Sequence, residues 1–137
     1  MDKELNLKYR EVEITSAQLK ALNATPVELV EAPGAGYAHV PLFALLTNKF
    51  GTVAYTLANT DHVVTINGLP ALTDAEYQTL MESSDQITFA VDGEGTSAEI
   101  VENQAISISD AGTAELVTGD GTLIVRVVYA TIKVATA

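Results

Sequence analysis

The 137-residue chain contains no cysteine and no tryptophan, and only seven of its residues are lysine or arginine. Without cysteine, the fold uses no disulfide bond and no thiolate metal site. Three phenylalanines and five tyrosines are its only aromatic residues, so the core is predicted to be mainly aliphatic. A chain of this length fits one domain, because it can bury on the order of two-thirds of the surface that its unfolded form exposes.

Long hydrophobic runs are also missing. The first residues lack an apolar signal core, and the longest apolar run, around residues 41–46, is far too short to cross a bilayer. We therefore expect a soluble, unexported protein with no membrane partner.

Basic residues are scarce where acidic ones are common. The formal net charge is −11, and the stretch between Phe50 and Val125 holds twelve acidic residues and no basic one. A face that neutralises phosphates cannot be built from such a stretch, so no nucleic-acid partner is expected. The acids are interpreted as a solvated surface that aids solubility.

The local sequence indicates where two helices begin. Thr15 to Gln18 and Thr73 to Glu76 both have the spacing of a capping box, with apolar residues placed on either side. The second helix also carries an apolar stripe, formed by Tyr77, Leu80 and Met81. Two short helices are therefore predicted.

The rest of the chain alternates in short segments separated by turn signals, which predicts eight or nine strands. Pro41 interrupts one of them and implies an edge or a bulge there, because proline cannot donate to a ladder. The predicted class is mainly β, an antiparallel β-sandwich or barrel with two short helices. Residues 1–14 are expected to form an N-terminal arm or edge strand, and residues 15–137 a single β domain. The predicted strand segments are 27–30, 37–47, 51–57, 62–66, 86–91, 98–101, 105–109, 115–117 and 122–134.

The last of these segments has no polar side. Leu123, Val125, Val127 and Tyr129 share one face, while Ile124, Val128, Ala130, Ile132 and Val134 share the other. One face must be covered by the core of the domain, and the other by a second sheet or by another subunit. Arg126 must either emerge at an edge or pair with a carboxylate, and an intrachain acid is favoured over one from another subunit.

Nothing in the sequence indicates a reaction centre. His39 and His62 lack neighbouring ligand residues, and neither a nucleophile elbow nor a phosphate-binding loop is present. Asp92, Glu94 and Asp120 are interpreted as ordinary turn residues rather than calcium ligands. We expect a protein that is not an enzyme and has no cofactor or metal.

Three blocks of the chain together resemble small virion proteins of tailed phages. The match in order and spacing extends from about Ile14 to Tyr129. The blocks are Asn23–Gly36 (NATPVELVEAPGAG), Gly51–Thr56 (GTVAYT) and Gly119–Tyr129 (GDGTLIVRVVY).

Some members of that group are similar to capsid decoration (cement) proteins with a β-tulip fold. This resemblance implies a homotrimer made in the host cytoplasm and placed on the outer capsid surface of the virion. Its partners would be the major capsid protein and other copies of itself. The implied role is a non-enzymatic structural one, the stabilisation of the head.

Two sets of candidate contact residues follow. The N-terminal arm is a candidate capsid contact, although a plain edge strand with solvated charges fits its pattern equally well. The closing strand is a candidate subunit interface. The arm residues are Lys3, Leu5, Leu7, Lys8, Tyr9 and Arg10, and the interface residues are Leu123, Val125, Arg126, Val127 and Tyr129.

Two other functions stay open at this point. A tail or fibre module that binds a host-surface glycan would suit a small β domain, but sugar sites usually stack on exposed aromatic residues and the chain has no tryptophan. An acidic inhibitor that mimics DNA would need acids in rows, whereas here they are scattered.

Overall fold

The computed structural model describes residues 6–57, 62–67, 69–82, 87–91, 100–110, 112 and 115–134. Within them the chain forms ten strands and two short helices. In chain order these are β1 (Leu7–Ile14), α1 (Ser16–Lys20), β2 (Val27–Val30), β3 (Tyr37–Lys49), β4 (Thr56–Leu57), β5 (Val64–Ile66), β6 (Leu69–Leu72), α2 (Asp74–Glu82), β7 (Ile87–Val91), β8 (Ile106–Asp110), β9 (Leu116–Val117) and β10 (Thr122–Lys133).

The strands form two four-stranded sheets and a two-stranded ribbon. Sheet 1 has the order β1-β10-β3-β7, sheet 2 has the order β2-β8-β5-β6, and β4 pairs with β9. All of the recorded pairings are antiparallel. The inner faces of both sheets contribute to one hydrophobic cluster, from Leu46 and Val125 in sheet 1 to Val64 and Ile108 in sheet 2. The mainly β class, with two antiparallel sheets and two short helices, is confirmed.

Both helices begin at the capping boxes. The Thr15 side chain accepts from the Gln18 amide while the Gln18 side chain accepts from the Thr15 amide, so two backbone donors without helical partners are satisfied. The Thr73 and Glu76 pair makes the same reciprocal contacts before α2. The apolar stripe of α2 is buried completely, which ties this helix to the core.

The longest pairing joins β10 to β3, and its one irregularity lies at Pro41. The register shifts between Val128 and Tyr129, where Val128 pairs with Phe43 and Tyr129 pairs with Pro41, so that Leu42 is the extra residue. The proline is accommodated by this bulge, and among the described residues it also lies beyond the part of β3 that pairs with β7, which runs from Phe43 to Thr47.

Two predicted strands are wrong in extent. The segment 51–57 is a strand only at Thr56–Leu57, because the amides of Thr52 and Val53 donate to the Asp120 side chain instead of a neighbouring strand. Of the segment 98–101, Ile100 and Val101 lie outside any strand, and residues 98 and 99 fall outside the described part of the chain.

The outer faces of the two sheets differ in chemistry. Sheet 2 presents polar residues, with Thr65 and Ser109 hydrogen-bonded to each other at 3.1 Å and Glu28 paired with Ser107 in the register. Sheet 1 presents half-buried apolar side chains such as Ile124 and Val128 together with charged ones such as Glu11 and Arg126. Half-buried apolar side chains are thus a feature of the outer face of sheet 1.

Candidate interaction surface

Strand β1 forms one edge of sheet 1, and its side chains alternate between two sides of that sheet. Leu7 and Tyr9 are 60% and 58% exposed and lie on the outer face. Lys8 and Arg10 are also exposed but lie on the opposite side. The apolar and cationic members of the candidate arm are thus separated, while Lys3 and Leu5 fall outside the described residues.

Two hydrogen bonds hold the start of this strand. The Tyr9 hydroxyl donates to Glu11 Oε1 at 3.1 Å, and Lys8 Nζ donates to Thr131 Oγ1 at 3.2 Å. The aromatic ring and the ammonium are therefore oriented by their neighbours although both side chains are solvent-exposed.

Arg126 finds its partner within the chain. Its Nε donates to Glu11 Oε1 at 2.9 Å, and its Nη1 donates to Thr47 Oγ1 at 3.1 Å. These contacts join β10 to both of its neighbours on the outer face. The intrachain ion pair is confirmed. Because the Arg126 and Glu11 side chains are 31% and 50% exposed, solvent screening limits the pair to about 0–1 kcal/mol.

The remaining residues of the predicted subunit interface are not available to a partner. Leu123, Val125 and Val127 are fully buried and Tyr129 is 8% exposed, all of them within the core cluster of this chain. Sheet 2 already covers that face of β10. The prediction of an interface through these four side chains is therefore corrected: a partner reaching β10 meets its other face, which carries Ile124, Arg126 and Val128.

Each histidine makes ordinary hydrogen bonds. His39 contacts Thr131 Oγ1 at 3.0 Å and the Glu31 carbonyl at 2.9 Å. His62 is completely buried, and its Nδ1 lies 2.5 Å from Asp110 Oδ2. Among the residues that the structure describes, no group of three or more His, Asp or Glu side chains is placed to hold a metal ion.

Asp110 joins several segments, which its sequence position in a turn signal did not reveal. Besides His62, its carboxylate accepts from the amides of Val63 and Gly112, and its carbonyl accepts from Asn23 Nδ2. The segments before β5, after α1 and after β8 therefore meet at Asp110, the first and last at its buried carboxylate and the second at its carbonyl. Burial, together with the Asp110 charge, raises the pKa of the neighbouring Tyr77 phenol far above its usual range.

Two of the three blocks that carry the resemblance, Gly51–Thr56 and Gly119–Tyr129, are hydrogen-bonded to each other at Asp120. The Thr52 hydroxyl and the amides of Thr52 and Val53 all donate to its carboxylate. These donors, the Thr52 hydroxyl foremost, hold the pKa of Asp120 below its usual 3.8. Nearby, the Tyr55 hydroxyl donates to the Gly121 carbonyl. Asp92 and Glu94, the other acids in glycine turns, lie outside the described residues.

The first block ends in a turn that side chains from another loop hold in place. Gly34 and Gly36 have φ of 105° and 88°, and their amides donate to Asn103 Oδ1 at 2.9 Å and Glu102 Oε2 at 2.7 Å. All three blocks thus correspond to contacts that hold the fold together, and none of them forms a pocket around reactive groups.

The described residues form a mainly β structure with two antiparallel sheets and two short helices. No helix among them is long and apolar enough to span a membrane. No family model and no curated protein matches the chain. Among solved structures, a chain of the cyanophage Pam1 capsid asymmetric unit is similar to this one at 16% identity, with a TM-score of 0.49, over 92% of this chain and 84% of that chain.

Proposed function

We propose that this chain is a non-enzymatic structural protein of a tailed-phage virion. In particular, it is a decoration (cement) protein that binds the outer capsid surface as a homotrimer and stabilises the head. Its partners are the major capsid protein and its own copies. The observation that carries the proposal is the edge strand β1, which presents exposed apolar and cationic residues on a strongly acidic protein.

The charge distribution supports a contact role for the arm. Three of the seven basic residues, Lys3, Lys8 and Arg10, lie within the first ten positions. Lys8 and Arg10 are exposed on β1, beside Leu7 and Tyr9. An edge strand offers main-chain donors and acceptors along its free side, and such strands readily accept another chain.

The resemblance supports the proposal through packing. Its second and third blocks meet at Asp120 and Tyr55, and its first block forms the turn closed by Glu102 and Asn103. We take the match of these blocks to contacts within the fold as support for a shared architecture. The virion role comes from the resemblance itself.

A cement acts by mass action. A protein that binds the assembled lattice but not its separated subunits stabilises the lattice by about 2.7 kcal/mol per site when its free concentration is one hundred times its dissociation constant. Such an activity needs a contact surface and no reaction centre, which fits the contacts described above.

The test is co-sedimentation with purified empty capsids. A variant that combines Lys8→Glu with Arg10→Glu is expected to lose binding, because it reverses both exposed cations of β1. Lys49→Glu is the control, since it reverses an exposed cation at the opposite end of sheet 1, where Lys49 pairs with Thr122. Point changes are preferred to deletion of residues 2–10, because residues from Leu7 onward pair with β10.

The three proteins must show equal melting temperatures for the comparison to hold. Full capsid binding by the double variant would exclude the arm as the contact. If the wild-type protein does not bind capsids but binds a host-cell glycan on an array, the proposal is replaced by that of a tail or fibre module.

A further inference from the structure

One exposed cation of β1 is connected to a buried histidine through a threonine hydroxyl. Lys8 Nζ donates to Thr131 Oγ1 at 3.2 Å, and the same oxygen lies 3.0 Å from Nδ1 of His39. The other ring nitrogen, Nε2, lies 2.9 Å from the carbonyl oxygen of Glu31, the residue that follows β2. These four residues form a chain of hydrogen bonds, here called the Lys8 relay, that runs from the edge of sheet 1 to the end of a strand in sheet 2.

The direction of each hydrogen bond in the relay follows from the chemistry of its groups. The Glu31 carbonyl can only accept, so Nε2 of His39 carries a proton and donates it. A neutral imidazole with its proton on Nε2 offers Nδ1 as an acceptor, which receives the hydroxyl proton of Thr131. An ammonium can only donate, so Lys8 donates to a lone pair of the same hydroxyl oxygen. Successive bonds of this kind polarise and strengthen one another.

The strand register brings the relay side chains to one side of sheet 1. His39 and Thr131 lie directly opposite each other on β3 and β10. Lys8 pairs with Tyr129, so Thr131 is its diagonal neighbour two residues along β10, a separation that a long side chain can span. The His39 residue is only 8% exposed, and its ring makes a T-shaped contact with Tyr129 at 5.0 Å between centroids. The hydroxyl that accepts from Lys8 is therefore oriented from the interior of the protein.

We infer that Thr131 and His39 are positioning residues that hold the Lys8 ammonium in place for a carboxylate of the binding partner. The inference rests on the proposed function for the assignment of β1 as the contact, and it adds the acidic chemistry of the group that is contacted. Arg10 lies on the same side of β1, two residues or about 7 Å along the strand. A partner with two carboxylates at that spacing matches both cations.

The expected size of the effect follows from the freedom of a lysine side chain. An unrestrained lysine populates many rotamers, and immobilising it opposes association. A lysine that the relay has already ordered loses less freedom when the partner binds. Loss of the relay should therefore weaken binding about two- to tenfold, the range typical of ordering one long side chain.

The first experiment measures the order of the Lys8 side chain in the free protein. Carbon-13 relaxation of the Cε methylene gives an order parameter for each lysine, and Lys49, which is also exposed, is the reference. In the wild type the order parameter of Lys8 should exceed that of Lys49. In Thr131→Val, which removes the hydroxyl and keeps the shape, it should fall to the reference value. Thr131→Ser retains the hydroxyl and should retain the order.

The second experiment measures co-sedimentation of the same proteins with empty capsids. Thr131→Val should bind about two- to tenfold more weakly than the wild type, and Thr131→Ser should restore binding. Thr65→Val is the matched control, because it removes a strand hydroxyl that contacts Ser109 on the outer face of sheet 2. Adding Thr131→Val to Lys8→Met should weaken binding no further than Lys8→Met alone, since both changes act through the same ammonium. Equal melting temperatures of the variants verify that the fold is retained.

Equal order of Lys8 with and without the Thr131 hydroxyl would overturn the inference, as would capsid binding by Thr131→Val equal to that of the wild type. The two experiments also separate this inference from the proposed function. If the hydroxyl orders Lys8 but the wild type binds no capsid, the decoration role fails and the positioning of Lys8 stands. If the wild type and Thr131→Val bind capsids equally, the positioning role fails and the decoration role stands.

Discussion

Replacement of Gly119 by alanine should be among the most damaging single-methyl additions to this protein. Gly119 has φ of 87°, in the left-handed region that L side chains rarely adopt. A Cβ at this position would lie 2.4 Å from Cδ1 of Tyr55. The Tyr55 ring cannot easily move away, because its hydroxyl donates to the Gly121 carbonyl and the side chain is buried.

The cost has two parts. The backbone conformation costs about 1–2 kcal/mol for a residue with a Cβ, and overpacking against the ring costs about 1–3 kcal/mol more. Gly119→Ala should therefore lower the free energy of unfolding by about 2–5 kcal/mol. For a domain of this size, that corresponds to a fall in melting temperature of roughly 6–15 °C.

Gly34→Ala is the matched control. Gly34 has φ of 105°, but a Cβ there would meet nothing within 4 Å. Only the backbone part of the cost remains, so its melting temperature should fall by roughly 3–7 °C. The assay is thermal unfolding followed by circular dichroism, with both variants in the same buffer. Equal losses for the two variants would refute the claim that the Tyr55 ring restricts Gly119.

Three further changes test other contacts. Asp120→Asn should flatten the dependence of stability on pH in acid. The pKa of this carboxyl group is lowered in the folded state, so the carboxylate stabilises the fold above its unfolded pKa near 3.8 and loses that effect as the pH falls through the folded pKa. Urea titrations at several pH values will show the flattening. Asn48→Ala should lower the free energy of unfolding by about 1–3 kcal/mol, because Asn48 Nδ2 donates to the buried Leu80 carbonyl at the end of α2. A melting temperature equal to that of the wild type would contradict this. Tyr77→Phe should leave stability unchanged or slightly higher, because the buried hydroxyl has no hydrogen-bond partner among the described residues. A clear fall in melting temperature would show that the hydroxyl has a partner.

Features fixed by nearby residues could be predicted from the sequence. Each capping box spans only four residues, and the structure contains both of the helices that the boxes predicted. Pro41 predicted an edge or a bulge, and the bulge between β3 and β10 follows from its missing donor. The apolar stripe of α2 predicted which of its sides is buried, because helical spacing alone places Tyr77, Leu80 and Met81 together.

Features that depend on residues distant in sequence could not be predicted. The strand predicted over 51–57 failed because Asp120, far along the chain, accepts the amides of Thr52 and Val53. The role of Asp110 was missed because its partner His62 lies 48 residues away, just before β5, and no local pattern joins them.

The inner and outer faces of β10 could not be told apart for a related reason. Both faces of β10 are apolar, so periodicity could not distinguish the face covered by sheet 2 from the face left half-exposed. Only the pairing of Arg126 with Glu11, which lies more than a hundred residues away, identifies the outer side.

The position of β10 has a consequence for biosynthesis. This strand is the last of the described strands along the chain, yet it lies between β1 and β3 at the centre of sheet 1. Until residues 122–133 leave the ribosome, neither neighbour has its strand partner on that side, so sheet 1 is completed only after all of its strands from β1 to β10 have been made. A nascent chain cut short before Thr122 cannot assemble sheet 1, and it leaves β1 and β3 with unpaired edges that can pair with another chain.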